Sequence, residues 1–369
     1  MLTLGSHFDG IAGFPLAAAG NGIEVVWATE IEPFPIVVSK AHFPHMKHYG
    51  SITDVSGAEL EPVDIITFGS PCQDLSIAGK RAGLEGERSG LFMAAVRTIR
   101  EMREATSGVY PRIAVWENVP GAMSSNNGAD FRAVLEEILE AEVPVPRSGK
   151  WASAGMVRGN GREIAWRILD AQYWGVPQRR RRIFLVCDFR GECAGEILFE
   201  RQGVPWNPAE SREAGEEIAG DVGDGVKTAG GSRVTSTVTA TYGTKWNGNS
   251  GANTGLGATT LGDQFPHVAF GVDCRNLYEN KGLSGTLQCK QTGGHSLNYQ
   301  NPVRIGYVVR RLTPLECLRL QGFPDYWLDI EGMSDTQKYK AVGNSVAIPC
   351  VRWIMRRIKE QIEELQDGA

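Results

Sequence analysis

The sequence predicts an α/β protein: a three-layer sandwich on a mostly parallel, doubly wound sheet, joined to a smaller, irregular, β-rich region. Three observations carry that expectation. Up to Asp188, apolar runs of strand length alternate with segments whose apolar residues recur at helical spacing, and such alternation buries a parallel sheet between two layers of helix. Two strand-like runs then follow one another around Gly175-Val176-Pro177 with no helix between them, which puts an antiparallel hairpin at one edge. After Asp188 the texture changes. Over residues 225–262 Gly, Thr, Ser and Asn dominate, and helical periodicity disappears.

Leu2-Thr3-Leu4 is a short first strand, followed by a glycine turn and an apolar segment at 14–19. Residues 23–29 read as a second strand, and 32–41 as a helix despite Pro33 and Pro35 near its start. The apolar run 63–70 reads as a buried parallel strand that ends at Pro71-Cys72-Gln73. Leu91, Phe92, Ala95, Val96, Ile99 and Met102 repeat at helical spacing, with Arg97, Arg100 and Glu101 facing away. Residues 112–119 form another buried strand, and Phe131, Val134, Leu135, Ile138 and Leu139 a second amphipathic helix. The runs 164–168 and 182–186 supply the hairpin pair.

In the irregular region, 236–241 and 284–288 read as short strands leading into Gly- and Asn-rich loops. Thr313-Pro314-Leu315-Glu316 opens a helix with a capping Thr, Pro at the first position and Glu at the third. The last helix opens at Ile348-Pro349. Its stripe of Val351, Ile354, Met355, Ile358, Ile362 and Leu365 needs a core to cover, so the C-terminus is expected to return to the first domain.

A chain of 369 residues has room for two domains, and 42% hydrophobic with 22% charged residues is ordinary for a globular protein. Seven cysteines without a C-x-x-C pair argue against a disulfide framework or a zinc knuckle and fit a reducing, cytosolic setting. No apolar run reaches the length of a membrane span, and no basic segment precedes an apolar one at the N-terminus. The net charge of −5 does not advertise a nucleic-acid partner, so local clusters matter more. Residues 179–182 are four arginines in a row. Arg310, Arg311 and Arg319 form a looser group, and the basic residues of the last helix read as a solvated face. His42, His45 and His48 have ligand-like side chains, but Pro44 interrupts any helix and no fourth ligand is evident, so no metal is expected.

Several short motifs stand where α/β enzymes keep their reactive groups, at the carboxyl ends of strands. Phe8-Asp9-Gly10-Ile11-Ala12-Gly13 follows the first strand and Glu30 ends the second. The pair suits a close ligand approach with ribose hydroxyls on the carboxylate, and equally a tight turn with a surface carboxylate. Cys72 follows a proline on a stiff turn, a setting for a nucleophile, though an isolated cysteine is commonly a small buried hydrophobe. Glu117, at the end of the 112–119 strand, could share a substrate with it. A thiolate that adds to an electron-poor ring while a carboxylic acid protonates a ring nitrogen is a coherent pair. In Gln178-Arg179-Arg180-Arg181-Arg182, strand alternation sets Arg180 and Arg182 on one side, able to hold a phosphate and a carbonyl oxygen. Gly343-Asn344-Ser345 precedes the final helix and offers backbone donors near its N-terminus.

Together and in this order, these motifs resemble the DNA (cytosine-5) methyltransferase family of bacterial and phage type. The resemblance includes Gly69-Ser70-Pro71-Cys72-Gln73 with Ser76 and Gly79, Arg88-Ser89-Gly90-Leu91-Phe92, Glu117-Asn118-Val119 and Gln178-x-Arg180-x-Arg182. It continues through Arg311-Leu312-Thr313-Pro314-x-Glu316, Gln321-Gly322-Phe323-Pro324 and Gly343-Asn344-Ser345, covering residues 1–188 and 308–360. It implies a class I S-adenosylmethionine-dependent methyltransferase fold, Rossmann-like, in residues 1–188 and 336–369, with a target-recognition domain at 189–335. By resemblance, Cys72 attacks C6 of a flipped cytosine, Glu117 bonds its N3 and amine, Arg182 holds O2 and Arg180 supports it or a phosphate. Phe8, Gly10, Gly13, Glu30, Ile52, Pro71, Asn344 and Ser345 match cofactor positions. Gln73, Ser76 and Gln178 match positions on the DNA side. The resemblance further implies S-adenosyl-L-methionine as cofactor and double-stranded DNA as partner. It also implies a monomer in catalysis, a cognate restriction nuclease acting on the same site, and the cytoplasm of a bacterial or phage-infected cell. Two positions depart from the family pattern: Ala12 stands where a second glycine is usual, and Ser51 where an Asp often meets the adenine, with Asp54 close by as a substitute.

Overall fold

The computed structural model describes residues 1–70, 90–199, 269–273, 278–281, 283–284, 287, 302–305 and 308–367. The chain divides into two compact units. One comprises Met1–Leu169, Arg181–Pro205 and Cys350–Ala369. The other comprises Asp170–Arg180 and Trp206–Pro349.

The first unit is built on an eight-stranded sheet. Its elements are β1 (Thr3–His7), α1 (Gly13–Ala19), β2 (Glu24–Thr29), α2 (Pro33–His42), β3 (Lys47–His48), β4 (Ile65–Phe68), α3 (Gly90–Ala105), β5 (Ile113–Asn118), α4 (Ala129–Leu139), β6 (Ala154–Gly159), β7 (Arg162–Asp170), β8 (Arg181–Asp188) and α5 (Ala194–Leu198). The strand order is β3-β2-β1-β4-β5-β8-β7-β6. The five strands from β3 to β5 run parallel, whereas β8 runs antiparallel to β5 and β6 antiparallel to β7. This is the expected sandwich, with one difference at its edge. The run at 164–168 does lie beside β8, but the hairpin that closes the sheet is β6–β7, turning on Asn160-Gly161 with φ of 51° and 69°. Asn-Gly is the natural pair for a two-residue turn with both φ positive. β6 escaped the hydrophobic pattern because its residues only alternate between exposed and half-buried.

The stripes expected of α3 and α4 are buried: Phe92, Ala95, Val96, Ile99 and Met102 on one, Phe131, Val134, Leu135, Ile138 and Leu139 on the other. Aromatic rings bind the helices to the sheet in a chain, Phe92 to Trp116 at 6.0 Å edge-on and Trp116 to Phe131 at 6.5 Å. Phe131 then meets Trp166 at 5.5 Å. Residues 350–367 of the last helix pack on this unit. Val351, Ile354, Met355, Ile358 and Ile362 are buried, and Lys359 Nζ donates to the Asn21 carbonyl at 3.1 Å.

The second unit holds a four-stranded sheet of β9 (Ala269–Asp273), β10 (Tyr278–Lys281), β11 (Pro302–Ile305) and β12 (Val308–Arg311) in the order β10-β9-β11-β12, antiparallel throughout. α6 (Pro314–Leu320) and α7 (Asp335–Asn344) follow, and α8 (Ile348–Asp367) begins here. The capping box on α6 is complete, with Glu316 N donating to Thr313 Oγ1 and Thr313 N to Glu316 Oε2. The same Glu316 forms a buried double contact with Arg310, at 2.6 and 2.8 Å. Of the two strands expected from sequence, 236–241 lies outside the described residues. Of 284–288 only Ser284 and Leu287 are described, and Ser284 makes an isolated bridge to Gln178.

Candidate active site

Because β2, β1, β4 and β5 are consecutive and parallel, their carboxyl ends open on one edge of the sheet. That edge gathers Phe8, Glu30, Ser70 and Glu117. The turn after β1 is tightly wound. Phe8, Gly10 and Ala12 all adopt the left-handed region, with φ of 55°, 58° and 61°. Gly10 does so freely, whereas Ala12 carries a steric penalty of about 1–2 kcal/mol. Glu30 explains how the turn is held. Its Oε2 accepts from Gly10 N at 2.8 Å, and its Oε1 accepts from Ile31 N and Glu32 N at 2.8 and 2.9 Å. A carboxylate has about four acceptor sites, so one remains for a ligand hydroxyl.

Beneath the turn, Asp9 is buried. Its Oδ2 accepts from Ser39 Oγ of α2 at 2.7 Å, and burial raises its carboxyl to about 7 against a countering bond from Ser39. His7 is sealed between Thr29 Oγ1 and Thr98 Oγ1, each at 3.0 Å. Burial, with Arg97 nearby, lowers its imidazole to about 3. Ile52 is buried in a short 3₁₀ turn whose carbonyl accepts from Arg97. At the departure from the family pattern, Ser51 Oγ caps Thr53 N, and Asp54 Oδ1 accepts from Thr53 Oγ1.

The second group centres on the end of β5. Arg182 Nε lies 3.0 Å from Glu117 Oε1, with both side chains largely buried. Gly69 of the neighbouring strand end lies beside this carboxylate, where a Cβ would make ordinary contact with Glu117 Oε2 at 3.4 Å. Asn118, buried next door, donates from Nδ2 to the Ser70 carbonyl at 3.1 Å and accepts from Val119 N at 2.8 Å. Trp116 Nε1 reaches Ser70 Oγ at 3.3 Å. The residue leading into Pro71-Cys72 is therefore fixed twice by β5. Pro71, Cys72, Gln73 and Ser76 themselves lie outside the described residues. Asn118 had been part of a motif with no role of its own. Its signal was adjacency to Glu117 at a strand end, where a short amide naturally bonds a neighbouring backbone.

In the second unit, the Arg180 guanidinium is buried and donates to the carbonyls of Ser345 and Gly343. Its backbone N–H goes to Asp170 Oδ1 at 3.1 Å. Fully buried Gln178 donates to the Leu320 carbonyl at 3.3 Å, and Gln321 to that of Val342 at 2.9 Å. These side chains brace the end of α7, where Asn344 is exposed and Ser345 buried. The expectation that Arg180 and Arg182 present a common face is therefore replaced by two separate engagements, backbone carbonyls for Arg180 and a carboxylate for Arg182. Among the described residues, no group of three or more His, Cys, Asp or Glu is arranged to hold a metal, and no helix is long and apolar enough to cross a membrane.

A mostly parallel sheet, entered through a carboxylate-braced glycine turn and carrying its polar residues along one edge, defines a class I methyltransferase fold. The comparisons narrow the class. A family model for C-5 cytosine-specific DNA methylases matches residues 2–360, and the chain belongs to that family, whose reaction is methylation of DNA cytosine at C5. The chain is 29% identical over its full length to the DNA N-6-adenine-methyltransferase of Escherichia phage P1, spanning 62% of the length of that protein. It is 26% identical to the Type II methyltransferase M.HhaI of Haemophilus parahaemolyticus, over 95% of this chain and 92% of that one. The crystal structure of S. pombe Dnmt2 methyltransferase shares the fold at 16% identity and a TM-score of 0.59, covering 98% of this chain and 99% of its own.

Proposed function

We propose that the chain transfers a methyl group from S-adenosylmethionine to C5 of a cytosine flipped out of a specific duplex DNA sequence, through a covalent bond between Cys72 and C6. The observation that carries this reading is the Glu117–Arg182 pair beside Ser70, the residue that leads into Pro71-Cys72. The methyl donor suits the turn at 8–13. Gly10 has open space where a side chain would stand, Glu30 keeps one acceptor site for a ribose hydroxyl, and Asp9 sets a buried carboxyl beneath the turn. When bound, that cofactor supplies an electrophilic methyl group on a positively charged sulfur.

The rest belongs to the chain. Phe8, Gly10, Gly13, Glu30, Ile52, Pro71, Asn344 and Ser345 are the residues assigned to the cofactor. The Cys72 thiolate adds to C6 of the cytosine. Glu117 bonds N3 and the exocyclic amine, stabilising the charge that develops as C5 becomes electron-rich, and Arg182 holds O2. Once C5 carries the methyl group, a base removes its proton, the electron pair reforms the C5–C6 double bond and Cys72 leaves. Arg180 acts as a positioning residue for the turn that carries Asn344 and Ser345. Gln73, Ser76 and Gln178 are assigned to the DNA side of the site. Residues 189–335 read the sequence through major-groove contacts. The enzyme acts as a monomer without metal; a nuclease that cuts the same site is one setting for it, beside protection of a mobile genome and solitary action.

The name of the phage P1 relative favours a second reading, transfer to adenine N6. An exocyclic amine attacks the donor's methyl group directly and has no use for a thiol. Expression in a host free of DNA methylation, with mapping of every modified base, separates the two. 5-Methylcytosine at one recurring sequence is expected; N6-methyladenine in its place would overturn the cytosine reading. Duplexes carrying 5-fluorocytosine should trap on the wild-type protein and not on Cys72→Ser, which should still bind the cofactor.

A further inference from the structure

Asp9 has no counterpart among the roles assigned so far, yet it lies between Phe8 and Gly10 at the centre of the glycine turn. Its side chain is 5% exposed. One oxygen is held by Ser39; Oδ1 is buried without a well-formed hydrogen bond, and the Ser6 hydroxyl of β1 is the other polar group that favours its ionised form. Its backbone is pinned on both sides, N–H to the Thr29 carbonyl and carbonyl to Ala12 N, each at 3.1 Å. The carboxyl therefore cannot swing out to water. Among the described residues no cation neutralises it: β1 presents Ser6, α2 presents Ser39, β2 presents Thr29, and α1 carries no ionisable side chain. The charged group that acts on it is Glu30, of the same sign.

We propose that Asp9 is a positioning residue that selects the positively charged methyl donor over its neutral demethylated product, by giving up a proton when the donor binds. The inference rests on the cofactor reading above. A buried acid with a like-charged neighbour favours its neutral form, and a cation bound against its turn favours the ionised form. Burial sets this carboxyl at about 7, so near neutral pH the two forms are closely balanced and one added positive charge tips them. Methyl transfer turns the sulfonium into an uncharged thioether. Asp9 then regains its proton, and the product leaves a site that no longer attracts it.

Calorimetric titration at pH 7, in buffers of different ionisation enthalpy, reads the proton directly. Wild type should release up to about half a proton on binding S-adenosylmethionine and close to none with S-adenosylhomocysteine. Asp9→Asn should abolish the difference and narrow the ratio of the two affinities several-fold. Ser39→Ala removes a bond that steadies the ionised form, so the pH midpoint of donor affinity should move upward; a merely structural contact would leave that midpoint in place. Equal proton release with both ligands, or an Asp9→Asn protein that keeps the wild-type profile, overturns the proposal. Donor binding without proton release sinks this inference alone, whereas a wild-type protein that binds neither ligand sinks the cofactor reading with it.

Discussion

Asn118→Ala tests whether β5 sets the approach to Cys72. The amide is 3% exposed and makes two bonds, to the Ser70 carbonyl and from Val119 N. Each contributes about 1 kcal/mol net, and the Ser70 carbonyl, left in a buried site without its donor, costs a further ~1–3 kcal/mol. The sum is a destabilisation of roughly 3–5 kcal/mol, measurable as a lower midpoint in urea. Activity should fall further than stability explains, because misplacing a reacting group by about 1 Å can cost a hundredfold in rate. The rate of covalent trapping on a 5-fluorocytosine duplex, measured where the variant is fully folded, reports that loss. Asn118→Asp sharpens the test. It keeps the acceptor for Val119 N but sets a carboxylate against the Ser70 carbonyl, so its damage should equal or exceed that of alanine at pH 7 and ease on acidification, when the carboxyl can donate. If Asn118→Ala lies within about 0.5 kcal/mol of wild type and traps at the wild-type rate, the reasoning fails.

Three further outcomes are expected. Ala12→Gly relieves a left-handed alanine, worth about 1–2 kcal/mol, against about 0.4–1 kcal/mol of extra freedom in the unfolded chain, so the variant should be up to about 1 kcal/mol more stable; a lower thermal midpoint would contradict this. Arg180→Ala removes charged hydrogen bonds to two backbone carbonyls, and should cost roughly 3 kcal/mol of stability with a tenfold or greater loss of donor affinity. Affinity unchanged in the folded variant would separate Arg180 from the cofactor site. His7, lowered to about 3, supplies stability that is present above pH 6.5 and is lost as the pH falls from there, at up to about 1.4 kcal/mol per unit. Asp9, raised to about 7, runs the other way: its contribution is full below about pH 4 and is lost as the pH rises through 7. The two slopes offset each other between about pH 4 and 6.5. Asp9→Asn should therefore steepen the acid loss there and His7→Gln should reverse it, as followed by urea midpoints across that range; parallel profiles for both variants would refute the assignment.

Much of the catalytic unit was legible because buried parallel strands and amphipathic helices write their burial directly into hydrophobic spacing. The stripe of α4 and the capping box at Thr313 match residue for residue, and that of α3 in all but Leu91, which is half-buried. β3 and β6 were not, since two residues carry no period and an edge strand buries neither face fully. The site divides in the same way. Glu117, Glu30 and Gly10 stand at strand ends, positions that sequence can locate. The partners that shape them come from afar: Ser39 lies thirty residues from Asp9, and Gly343 and Ser345 more than 160 from Arg180. Nor could spacing alone tell that Arg180 and Arg182 diverge. Alternation along a strand applies only inside it, and β8 begins at Arg181.

The direction of β8 decides the sign of the charge beside Glu117. The antiparallel register sets Glu117 opposite Phe184 and Asn118 opposite Ile183, so the first residues of β8 reach the end of β5 while Asp188 sits at the far edge, opposite Ile113. Reversing the strand in place, as a uniform parallel sheet would require, would carry Cys187 and Asp188 to the end of β5 and take Arg182 to the far edge. Glu117 would then lose the guanidinium that now lies 3.0 Å from its Oε1. A single inverted strand is thus a choice of polarity for the whole pocket, made by topology before any side chain is selected.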